Sequence, residues 1–176
     1  MSAIDASTYR FEAALRDGGT ICIRAIRPDD KTRLHQHFAG LSPQSVYFRF
    51  MGIRRDLSDD DLKKLTELDF KDHVGLVATI AENGIERLLG VARYIRGKEP
   101  TRAEIAFAIL DEHQGRGIGT LLLEHLNHIA HANGITEFEA DVLADNVRML
   151  EVFAHSGVKV RRQFESGVVH LYFSTD

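Results

Sequence analysis

Between Glu104 and Thr120 the chain reads Glu-Ile-Ala-Phe-Ala-Ile-Leu-Asp-Glu-His-Gln-Gly-Arg-Gly-Ile-Gly-Thr. A strand runs without a spacer into a glycine-rich turn and the first turn of an amphipathic helix. Ile105, Phe107 and Ile109 fall on one face of that strand, and Glu104, Ala106 and Ala108 on the other. The helix, expected from Gly117 to about Asn133, buries Ile118, Leu122, Leu126 and Ile129, and Gly134 stops it. Gly115, Gly117 and Gly119 lack a Cβ, so the turn can take positive φ and a ligand can approach bare N–H groups. A helix that opens there leaves its first amides unpaired and points the positive end of its dipole at the same place. A phosphate is the expected guest. A glycine-rich strand-to-helix turn that binds nothing is the plainer reading of the same residues.

No lysine stands in or just after the turn, so it is not a P-loop, and glycines on alternate positions do not make the Gly-x-Gly-x-x-Gly dinucleotide fingerprint. The 176 residues suit one domain with a real core. A net charge of −4 argues against a broad basic face for nucleic acid. The only cysteine, Cys22, can form neither an internal disulfide nor a cysteine-rich metal site and reads as a small core residue. With no apolar run for a signal peptide or a membrane span, the expectation is a cytoplasmic protein. His125, His128 and His131 recur every three residues, a spacing that drifts around a helix, so no metal is expected.

Residues 1–19 read as an N-terminal arm with one short strand near Arg10 to Leu15, and 20–176 as the domain proper. A strand over Ile21 to Ile26 is followed by a helix opened by Pro28-Asp29-Asp30, and Ser42-Pro43 starts a second helix. Ser58 caps a third, with Asp59 to Asp61 in its first turn. Strands over Val74 to Ala81 and Arg87 to Ile95 flank the turn Glu82-Asn83-Gly84. Beyond the central helix come a strand from Phe138 to Val142, a helix from Asn146 to His155, and a hairpin of Val158 to Phe164 with Val168 to Phe173. The fold class is α/β, a mixed and mostly antiparallel sheet flanked by helices.

The segment Gln114-Gly115-Arg116-Gly117-Ile118-Gly119 resembles the acyl-CoA pyrophosphate loop of the GNAT superfamily of N-acetyltransferases, written Gln/Arg-x-x-Gly-x-Gly/Ala. Downstream, Asn146 and Gly157 keep the spacing and order of that superfamily's second motif. Near the N-terminus, Ile26-Arg27-Pro28-Asp29-Asp30 and the stretch from Leu41 to Phe50 resemble the acetyltransferase domain of Pat-type bacterial protein lysine acetyltransferases. The resemblance implies an acetyl-CoA-dependent N-acetyltransferase without a metal. Acetyl-CoA would be held by Phe107, Ile109, Gln114, Gly115, Arg116, Gly117, Ile118, Gly119, Thr120, Asn146 and Phe153. Glu104 would be the general base, since a lysine amine of pKa ~10.4 must lose a proton before it attacks. The favoured acceptor is a protein lysine, with a small amine or amino acid as the alternative; a homodimer is compatible with this reading, and neither nucleic acid nor membrane is a partner. Phe153 departs from the pattern, because many of these enzymes have a tyrosine there to protonate the leaving thiolate. That departure leaves open a third reading, a non-catalytic acyl-CoA sensor.

Overall fold

In a computed structural model, the structure describes residues 4–52, 54–157 and 159–175. Eight strands form one sheet: β1 (Arg10–Ala14), β2 (Thr20–Ala25), β3 (His73–Glu82), β4 (Ile85–Arg96), β5 (Arg102–Ile109), β6 (Glu137–Leu143), β7 (Val160–Glu165) and β8 (Val168–Ser174). Their order across the sheet is β1-β2-β3-β4-β5-β6-β8-β7, antiparallel throughout except at β5 and β6. Parallel neighbours need a crossover, and α4 (Ile118–Ala132) supplies it. The remaining helices are α1 (Lys31–Gly40), α2 (Pro43–Phe50), α3 (Asp59–Thr66) and α5 (Val147–Ala154).

Local chemistry sets these boundaries. Ser42 caps α2 by accepting from the Ser45 amide at 3.1 Å. Ser58 and Asp61 form a reciprocal capping box at the start of α3, at 3.1 and 2.9 Å. Asn83 and Gly84, with φ of 53° and 78°, turn β3 into β4, and Ser166 and Gly167 do the same between β7 and β8. The end of the second motif at Val158 lies outside the described residues, and β7 begins at Val160.

The alternation expected along β5 is present: Ile105, Phe107 and Ile109 are buried on the α4 face, while Glu104, Ala106 and Ala108 look toward α1 and α2. At the first turn of α1 the buried carboxylate of Asp30 accepts two hydrogen bonds from Arg24 at 2.8 Å, and Arg24 also reaches Glu86 at 2.7 Å. That pairing ties β2, β4 and the start of α1 together, since a buried guanidinium without a counter-charge would cost several kcal/mol, roughly.

Candidate active site

β5 and β6 pair only from Arg102 and Glu137 to Glu104 and Glu139, although β6 continues along β8 to Leu143. The two strands therefore part beyond Glu104. The Leu110 amide donates to Leu89 on β4, and the Arg102 carbonyl accepts from Gly97 on the same side. Because backbone groups alternate along a strand, Phe107 and Ile109 turn their amides toward the gap. The gap is bridged by rings on the α4 face. Phe107 packs on Phe153 at 5.9 Å, Phe153 on Phe173 at 5.3 Å, Phe173 on Phe138 at 5.6 Å and Phe138 on Tyr94 at 5.7 Å. Phe153, only 1% exposed, is a member of that chain of rings.

The glycine turn lies at the end of the same strand. Gly115 and Gly117 adopt φ of 79° and 86°, as expected for residues without a Cβ, and no atom lies within 4 Å of where a Cβ would sit. Gly119 corrects the sequence reading: it is helical, and its Cβ position is 3.3 Å from Val152 of α5, so its smallness serves helix packing. Gly117 begins α4 with no side-chain cap, and the first intrahelical bond runs from Leu121 to Gly117. The amides of Ile118, Gly119 and Thr120 are left pointing out of the helix end, where a phosphate oxygen is the natural acceptor.

Residues distant in sequence brace this turn. Gln114 donates to the Ile109 carbonyl at 3.0 Å and accepts from Arg148 of α5 at 3.1 Å. Asp111 accepts from the Ser42 amide and hydroxyl and from the Ser45 hydroxyl, at 3.0, 2.8 and 2.9 Å, which fixes the N-terminus of α2 to the turn. Arg116 donates to Asp17 in the β1–β2 connection at 2.7 Å. Asn146 accepts from the Met149 amide at 3.3 Å and so caps α5. Asp17, Asp111 and Arg148 were not identifiable from the sequence, because ordinary surface residues acquire these roles only when the fold brings them to the turn.

Glu104 stands at the solvent-exposed rim where β5 and β6 part. Partial burial raises the pKa of its carboxyl, the charges of Asp141 and Glu139 add to the rise, and Arg49 of α2 opposes it. A carboxylate so placed holds a proton more readily than an ordinary glutamate, as a general base should. Behind it, on the same face of the sheet, Arg49 and Arg93 line a cavity with Ala106 and Ala108. A charge in the apolar run of β4 and another beside Val46 and Phe50 were the sequence signals for these two arginines. Among the described residues no group of histidine, cysteine and acidic side chains is arranged to hold a metal, and no helix is long and apolar enough to cross a membrane. His125 instead joins Tyr9 at 2.5 Å, and Phe11 lies against its ring.

A strand pair that separates beside an uncapped glycine turn is the point at which known proteins become informative. The model of the acetyltransferase (GNAT) family matches residues 44–158. This chain belongs to that family. A curated acetyltransferase of Pseudomonas aeruginosa is 32% identical over 79% of this chain and 75% of its own length. The acetyltransferase Pat of Mycolicibacterium smegmatis is 33% identical over 88% of this chain, which spans 46% of that protein. Among solved structures, the GNAT domain of S. lividans PAT superposes with a TM-score of 0.85 at 39% identity, covering 94% of this chain and 96% of that one. The chain thus corresponds to one whole GNAT domain and to about half of the longer Pat relative.

Proposed function

We propose that this GNAT acetyltransferase moves an acetyl group from acetyl-CoA to a primary amine, and that the favoured acceptor is a protein lysine. The observation that carries the reading is the arrangement along one edge of β5, from the uncapped helix N-terminus beyond its end, past the outward-turned amides of Ile109 and Phe107, to Glu104. Similarity to Pat of M. smegmatis and to the S. lividans PAT domain supports the choice of a protein acceptor.

The amides of Ile118, Gly119 and Thr120 receive the pyrophosphate, with Gln114, Gly115, Arg116 and Gly117 shaping the turn and Asn146 keeping α5 beside it. The pantetheine arm then follows the exposed edge of β5 past Ile109 and Phe107. Glu104 takes a proton from the acceptor ammonium, directly or through one water, and the freed nitrogen lone pair forms the new C–N bond at the thioester carbon. The Phe107 amide holds the oxygen as it gains negative charge. Collapse breaks the C–S bond and expels the sulfur as thiolate, while the nitrogen, cationic after the attack, gives its second proton to solvent water. Phe153 offers no proton to it, and a thiol of pKa ~8.5 leaves acceptably without one.

Thiol release from acetyl-CoA over a panel of lysine peptides, folded proteins, polyamines and amino acids tests the proposal. Acceptor-dependent release, greatest with lysine in a polypeptide, is expected. Binding of acetyl-CoA with no transfer to any amine would replace it with the sensor reading.

A further inference from the structure

The acceptor face carries an arrangement of charge that acetyl transfer alone does not explain. Arg93 is 4% exposed, in the middle of β4 and directly opposite Ala106 of β5. Its guanidinium donates to the Leu65 carbonyl at 3.1 Å and meets Nε2 of His73 at 3.0 Å. Burial and the nearby charge of Arg93 hold His73 down at about 4, so the imidazole is neutral and accepts from Arg93 without balancing its charge. Arg49 lies over the Phe50 ring, 4.8 Å from its centre, and makes neither a hydrogen bond nor an ion pair among the described residues. The two guanidinium groups line one cavity of about 30 Å³; burial lowers the pKa of Arg93 to about 9, and the charge of Arg49 adds to the fall.

The chain treats its other buried arginine quite differently. Arg24, 3% exposed, is paired with both Asp30 and Glu86. The acids near the second pair are already engaged: Asp61 with Arg54, and Asp69 with the amides of Lys71, Asp72 and His73. Glu104 is close enough for Arg49 to feel its charge, yet no ion pair joins them. A buried cation and a partly buried one, lining one small cavity with no anion paired to either among the described residues, call for an anionic partner, and guanidinium forks match a carboxylate. The cavity begins at Ala106, two residues along the strand from Glu104 on the same face, roughly 6–7 Å away.

Resting on the function proposed above, we infer that the Arg49–Arg93 pocket receives a carboxylate that the acceptor carries close to its reacting amine. For a protein acceptor this is an acidic side chain beside the target lysine; for a free amino acid it is the molecule's own carboxylate. The pocket therefore selects among amines after the site has been built to acetylate one.

Two arms test this. In the first, the side-chain N–H signals of Arg49 and Arg93 are followed by NMR in the full chain during titration with acetate and, separately, with neutral acetamide. Acetate should move both signals saturably, acetamide should not, and Arg49→Gln should weaken the acetate response about tenfold or more. Equal responses to the two probes, or none, would overturn the inference. Arg49 is only half-buried, and thermal unfolding of the variant checks that it is folded. In the second arm, kcat/KM is compared for lysine peptides with Asp or Asn beside the lysine, and for free lysine. A preference of about tenfold for the Asp peptide that disappears in Arg49→Gln supports a protein source, while preference for free lysine supports the amino acid. Identical rates for all three count against the pocket. The acetate arm needs no turnover, so a failure of all acceptors would count against the proposed function and leave the pocket to be judged by binding.

Discussion

Gly90→Ala would connect the packing of the sheet to the acyl-CoA turn. A methyl group on Gly90 would stand 2.7 Å from Cδ1 of Ile109, 3.2 Å from Cδ1 of Leu122 and 3.3 Å from Cγ2 of Ile118. Carbon atoms pack best at about 3.5–4.0 Å, so the overlap with Ile109 is close to 1 Å. Ile109 can turn its side-chain end away, but Leu122 and Ile118 are 0% and 1% exposed and have little room. Overpacking of this kind costs about 1–3 kcal/mol, against which the stiffer unfolded chain of alanine returns less than about 1 kcal/mol. For a chain of this length each kcal/mol is worth about 2–4 °C, so a fall in Tm of roughly 2–8 °C is expected. Because Ile109 ends β5 and Ile118 begins α4, the displacement reaches both walls of the proposed acyl-CoA site. Thermal unfolding by circular dichroism and calorimetric titration with acetyl-CoA should show the two losses together. A Tm within about 1 °C of the parent, with unaltered affinity, would refute the tight packing of α4 on β4.

Gly117→Val should lower acetyl-CoA affinity in a folded protein, because the added Cβ meets no atom within 4 Å but the residue must adopt φ near 86° and would project where the phosphate approaches; unchanged calorimetric affinity would contradict it. Asp30→Asn should destabilise the fold by about 3–5 kcal/mol in urea unfolding, nearer the lower figure because Glu86 still faces Arg24. Burial raises the Asp30 carboxyl, but hydrogen bonds from Arg24 and the Arg27 amide outweigh it and hold the group below its ordinary value. Its contribution is therefore complete above the unfolded pKa of ~3.9 and disappears as pH falls through the lower folded value, a loss the Asn variant should not show.

Much of the fold was legible because local signals agreed with one another. Ser42-Pro43 read as a helix start, Ser58 as a helix cap, Asn83-Gly84 as a hairpin turn and Gly134 as a helix stop, and each performs that role. Glu104, Ala106 and Ala108 were placed on the open face of β5 by the two-residue period alone. What the period could not reveal is where the sheet opens, since the parting of β5 and β6 depends on their register and on the rings from Tyr94 to Phe107 that fill the gap. Gly119 looked like another loop glycine, yet its neighbour is Val152, 33 residues away in the chain. Arg49 and Arg93 were passed over for a similar reason: a sequence shows a charge in an apolar run but not the absence of its partner.

The central claim is that Glu104 removes the acceptor's proton. Single-turnover acetyl transfer, measured from acid to alkaline pH at saturating acetyl-CoA in the wild type and in Glu104→Gln, tests it most directly. Burial and the charges of Asp141 and Glu139 raise the Glu104 pKa, so the wild-type rate should fall as pH drops through a value above that of an ordinary glutamate, ~4.3. The Gln variant should lack that limb, run about 10²- to 10⁴-fold slower near neutrality, recover part of the difference at high pH where more amine is free, and bind acetyl-CoA as before. A Glu104→Gln enzyme that transfers acetyl at the wild-type rate with the same pH profile would contradict the account.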